Sequence, residues 1–167
     1  MSATVQGLQW TERSDARRTS LGHRLLATDR DWAPAIARVA LGLVMLPHGA
    51  QKLLGWFGGH GFAGTMGFFT GTLGIPAPIA VLVILAESLG ALALVLGLAG
   101  RVTAAGIAAV MVGAVGMAHL AHGFFMNWSG TAAGEGFEYH LLALALAAIV
   151  IVRGSGRYSI DGALTRG

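Results

Sequence analysis

The chain has 167 residues, of which 54% belong to the apolar AVILMFWYC set and only 11% are charged, for a formal net charge of +3. A soluble domain usually carries about 25% charged residues, so a water-soluble fold is excluded, and a disordered chain is excluded by the high apolar content. There is no cysteine, which removes disulfides, thiolate metal sites and thiol redox chemistry by the chain itself.

What remains is an all-α integral membrane protein, and the chain order supports it. Residues 1–32 form a polar tail with both signs of charge, including Glu12, Asp15, Arg17 and Arg18. The tail lacks the apolar core of a signal peptide. Leu21, Leu25 and Leu26 suit a short amphipathic helix on the inner leaflet; a disordered tail is the alternative. Residues 33–164 then read as one transmembrane domain. Its apolar spans are expected at about 33–54, 77–99, 102–121 and 137–152. Twenty residues at about 1.5 Å each cross a hydrocarbon core of about 30 Å. In the first connecting loop, Phe62, Met66, Phe69 and Leu73 recur at helical spacing, which predicts a short interfacial helix. Phe124, Phe125, Trp128 and Tyr139 make an aromatic belt around the last loop.

The arginines set the expected orientation. They lie before or at the start of the first span (Arg13 to Arg38), between the second and third (Arg101), and after the fourth (Arg153, Arg157, Arg166). The positive-inside rule then places both termini in the cytoplasm and both longer loops outside. Because this charge flanks membrane segments, nucleic acid is not an expected partner. The lipid bilayer is, together with a membrane protein or a second copy of the chain.

Ionisable residues inside spans are costly and mark sites. The first span holds Pro47-His48-Gly49-Ala50-Gln51-Lys52, and the second a single charge, Glu87. His48, Gln51 and Lys52 share one helix face. Glu87 lies ten residues past Ala77, about 15 Å deep, on a side lined by Gly90, Ala91 and Leu94. Counting from the span edges puts His48 nearest to Glu87 in depth and Lys52 about 12 Å above it. His48 is thus the expected direct partner, with Lys52 reaching Glu87 through water or Gln51. His119 and His122 end the third span, and Glu138-Tyr139-His140 opens the fourth. All of them fall at the outer face.

Three chemistries compete for this cluster. One is a structural ion-pair lock. Another is a quinone site, with His48, Lys52 and Glu87 as the proton-handling catalytic residues and Gln51, Glu138 and Arg38 in substrate binding. In that site Lys52 and His48 would hold or protonate an oxygen. Arg38, at the inner end, also reads as a snorkelling topology anchor. The third is a metal site built from His119, His122, His140 and Glu138, whose spacing matches no established ligand motif. No metal is therefore assigned.

The ordered motifs also resemble the DoxX family. They are Arg38-Val39-Ala40-Leu41-Gly42, His48-Gly49-Ala50-Gln51-Lys52, Gly55-Trp56-Phe57-Gly58-Gly59, Leu73-Gly74-Ile75-Pro76, Glu87-Ser88-Leu89-Gly90-Ala91 and Gly156-Arg157-Tyr158-Ser159-Ile160-Asp161. The resemblance implies a four-helix inner-membrane protein of prokaryotes. The family takes its name from the membrane subunit of a thiosulfate:quinone oxidoreductase, and other members are linked to oxidative stress or quinone resistance. It implies a subunit or accessory of a quinone-linked redox or oxidative-stress system, with quinone as the cofactor. His119, His122 and His140 lie outside the motif. The competing classes are a non-catalytic membrane scaffold and a small-molecule transporter.

Overall fold

A computed structural model describes residues 21–165, so the first 20 residues of the expected tail lie outside it. The described residues are helical. The short α1 (Leu21–Leu26) is followed by α2 (Trp32–Leu54), which Asp31 caps by accepting from Ala33 N. Next come α3 (Gly61–Gly67) and a π turn at Phe68–Thr72, as the spacing of Phe62, Met66 and Phe69 predicts. Pro76 caps α4 (Ala77–Leu96), and α5 (Gly100–His122) follows after a tight reversal. The series ends with α6 (Glu138–Arg153) and the single turn α7 (Ile160–Leu164).

Three of these helices, α2, α4 and α5, are long and apolar enough to cross a membrane. α6 is apolar but has 16 residues, about 24 Å of rise. The observed spans differ from the expected ones mainly at their arginine-bearing ends. α4 stops at Leu96 because Gly97 takes a left-handed conformation (φ 70°) as its C-cap. α5 begins at Gly100, two residues early, because Asp161 caps its first amides.

α2 packs on α4 and α6, and α5 packs on α4 and α6, closing a ring. The buried centre consists of Leu41 and Met45 from α2, Ala91 and Leu94 from α4, Ala104, Ile107 and Met111 from α5, and Ala143, Ala147 and Val150 from α6. The small residues let backbones approach closely, which is how helices associate where lipid removes the hydrophobic drive. Large apolar side chains point outward instead: Leu43, Leu82, Leu89, Val112 and Leu142 are all exposed. That inversion suits a hydrocarbon surrounding.

Two glycines set the spacing between α2 and α4. A Cβ at Gly42 would lie 2.8 Å from Val95 Cγ2 and 2.9 Å from the Ala91 carbonyl oxygen. One at Gly49 would overlap the Glu87 carbonyl and sit 2.5 Å from Ser88 Cα. The backbone of α4 thus rests directly on α2 at the level of Glu87.

Candidate functional site

At that level α4 is not a regular helix. Ala86–Gly90 forms a π turn, and the Ser88 hydroxyl donates to the Ile84 carbonyl at 2.6 Å. Such turns displace side chains from the regular helical face and recur at functional sites. Here the turn carries Glu87, 4% exposed. Its Oε2 is in ionic contact with Lys52 Nζ, and among the described residues no hydroxyl or amide donates to it.

This corrects the expected pairing, because Lys52 rather than His48 is the direct partner. The depth count fixed each helix from its own end, whereas the stagger between helices is set by packing. Gly49 sits against Glu87, so Lys52 begins only three residues, about 4.5 Å, above it. Around the axis Lys52 is about 60° from Gly49 and His48 about 100°. Lysine therefore faces the carboxylate, while His48 lies exposed on the flank of α2. Its ring is 6.3 Å from that of Tyr139, whose hydroxyl donates to Met45 Sδ at 3.7 Å. Gln51 points elsewhere, its side-chain amide donating to the Phe57 carbonyl at 3.3 Å.

The remaining residues at this end of the bundle fall in three places. His119 and His140 face each other with ring centroids 4.2 Å apart. His119 Nδ1 donates to the Glu135 carbonyl at 2.9 Å, and the Nδ1 of buried His140 has no partner among the described residues. His122 packs against Gly134 instead. Among the described residues, no group of three or more His, Cys, Asp or Glu gathers as a metal set. Glu138 organises the loop above them: its Oε1 accepts from Met126 N at 3.1 Å and Trp128 Nε1 at 3.0 Å.

Arg38 belongs to the opposite end of the bundle. It is buried, and all five of its N–H groups donate to backbone carbonyls. Nε reaches Ser155 (2.5 Å), Nη1 reaches Leu94 (2.9 Å) and Val95 (2.5 Å), and Nη2 reaches Arg157 (3.2 Å) and Tyr158 (2.8 Å). It does not snorkel, because the frayed end of α4 and the chain after α6 bring a ring of free carbonyls to it. Arg101 acts in the same way toward the Ala27, Ile151 and Val152 carbonyls.

Asp161 completes this end. Its carboxylate accepts from Ala99 N (2.7 Å), Gly100 N (2.9 Å) and the Ser155 hydroxyl (2.6 Å). Motif matching found Asp161, but sequence reasoning assigned it no role. Its only signal was a carboxylate in a Gly/Ser-rich segment following a span.

The structure therefore brings Glu87, Lys52 and His48 together, with Tyr139 as a neighbour to which sequence reading gave no site role. His140 adjoins Tyr139, with ring centroids 5.8 Å apart. Gln51, Glu138 and Arg38 lie outside this group. The DoxX family model matches residues 33–120, which include all but the first residue of α2, the whole of α3 and α4, and nearly all of α5. Nothing among curated proteins or solved structures matches the chain.

Proposed function

The chain belongs to the DoxX family, and we propose that it is a four-helix protein of the cytoplasmic membrane with both termini inside. In this reading α6 is the fourth span, its short length made up by snorkelling of Arg153. The protein serves as a subunit or accessory of a quinone-linked redox or oxidative-stress system. One observation carries the reading: a buried carboxylate midway along α4 paired with an ammonium from the last turn of α2, beside an imidazole exposed on the bundle surface. An open imidazole at that depth calls for a ligand or a partner to cover it.

The side chains suit a quinone head group. Lys52 supplies a charged donor, His48 an exposed imidazole, and the Nδ1 of His140, without a partner among the described residues, a further polar atom. A bound quinone supplies two-electron redox chemistry, with each carbonyl oxygen taking a proton on reduction. Glu87 stores or returns a proton, and Lys52 holds the adjacent oxygen. With no cysteine in the chain, the electrons enter from a partner membrane protein.

Glu87→Gln keeps the shape but removes the titratable proton. The variant is expected to insert and fold, to retain extractable quinone, and to lose quinone-dependent turnover. Full activity would defeat the reading. The same open flank of α2 favours a second reading, a scaffold covered there by another membrane protein. In that case the chain co-purifies with a protein partner and without quinone.

A further inference from the structure

On the outer surface of α2, at the arginine-bearing end, lies an open groove of about 610 Å³. Its long wall is one face of α2, where Trp32, Ile36, Val39 and Leu43 follow helical spacing, and Val95 of α4 forms the opposite wall. From Trp32 to Leu43 is eleven residues, about 16 Å, or one leaflet of a hydrocarbon core of about 30 Å.

The mouth of the groove is built differently. The Arg157 guanidinium lies 5.3 Å from the Trp32 ring and 5.6 Å from the Tyr158 ring, and those rings are 5.6 Å apart. Among the described residues this guanidinium makes no hydrogen bond or ion pair. Its backbone is nonetheless fixed, with Arg157 N donating to the Asp31 carbonyl at 3.1 Å and Arg38 donating to the carbonyls of both Arg157 and Tyr158. Tyr158 is held in the left-handed region (φ 52°), a conformation that costs energy in a non-glycine residue. Among the described residues, two guanidinium groups, Arg38 and Arg157, line the groove and no acidic side chain does. The nearby Asp31 carboxylate is turned toward Arg153.

We propose that this groove binds one anionic phospholipid of the surrounding leaflet, its phosphate on Arg157 and one acyl chain along α2. Three features select that occupant. The mouth holds a cation on a fixed backbone whose five donors meet no acceptor among the described residues, and guanidinium matches phosphate oxygens in pairs. Trp32 and Tyr158 are amphipathic rings suited to headgroup depth. The apolar wall ends after one leaflet, which fits a single acyl chain.

The test is native mass spectrometry of the full chain in detergent, with phosphatidylglycerol or phosphatidylcholine of identical acyl chains added. The first bound lipid is expected to be preferentially phosphatidylglycerol. Arg157→Gln lowers that preference about fivefold, the effect of one basic side chain near an anionic surface; Arg157→Lys retains most of it. Among the described residues the Arg157 side chain contacts only the Trp32 and Tyr158 rings, so Arg157→Gln lowers the melting temperature by no more than about 4 °C, and Arg157→Lys, which keeps a cation over the rings, by less. Leu43→Trp fills the groove and lowers retention of both lipids. An unchanged preference in Arg157→Gln overturns the proposal. So does displacement of the lipid by glycerol phosphate, which would reduce the site to a phosphate contact. A dimer that excludes lipid until Leu43→Trp breaks it would assign the groove to a second copy of the chain and equally overturn the proposal.

Discussion

Removing one partner of the Lys52–Glu87 pair separates a lock from an incidental contact. The two side chains are 24% and 6% exposed, so the pair is largely desolvated. Breaking a buried pair by deleting one partner costs about 3–5 kcal/mol, because the other charge is stranded. Lys52 is the more exposed member and lies in the last turn of α2, so its ammonium can snorkel outward. Glu87→Leu should therefore fall at the low end, about 3 kcal/mol. For a chain of this size each kcal/mol moves the melting temperature by about 2–4 °C, which gives a loss of about 6–12 °C. Lys52→Met combined with Glu87→Leu leaves no stranded charge. Apolar replacement of a whole buried pair is neutral or better, so the double variant should melt within a few degrees of wild type. Glu87→Gln keeps an acceptor for the ammonium and should lie between Glu87→Leu and the double variant. Thermal unfolding of the four proteins in one detergent, followed by circular dichroism, gives the coupling. A double variant that melts as low as Glu87→Leu, or lower, would show that the two charges are not coupled and refute the reasoning.

Further outcomes follow from the packing and the charge pattern. Arg38→Lys offers three donors from one point in place of a planar fork of five; with several carbonyls unpaired at about 1–3 kcal/mol each, the yield of monodisperse protein on size-exclusion chromatography should collapse. Asp161→Asn weakens the cap on Ala99 and Gly100 and should cost about 1–2 kcal/mol, read as a modest drop in melting temperature. Gly49→Val places side-chain atoms in the Glu87–Ser88 backbone and should destabilise the protein more than Gly113→Val, which meets open space; equal melting of the two would contradict the close packing. A reporter fused after Gly167 should be active only in the cytoplasm and one inserted near Gly134 only outside, and an external C-terminus would reject the four-span topology.

The sequence by itself determined what kind of solvent the chain requires. Few charges, long apolar runs and isolated ionisable residues within them follow from composition and period, which no tertiary contact can change. The short helix from Gly61 was legible for the same reason, since it depends on neighbours within one or two turns. Glu87 stood out because a lone carboxylate in an apolar run is costly wherever it points. Its partner was not legible. Choosing between His48 and Lys52 required the stagger and rotation of α4 against α2, which Gly49 and the π turn at Ala86–Gly90 set jointly. Arg38 shows the same limit in another form. Its position at a span end suggested snorkelling, but its donors are filled by carbonyls from Leu94 to Tyr158, up to 120 residues away. A guanidinium's partners are whatever acceptors the fold brings to it, and backbone carbonyls leave no trace in side-chain pattern.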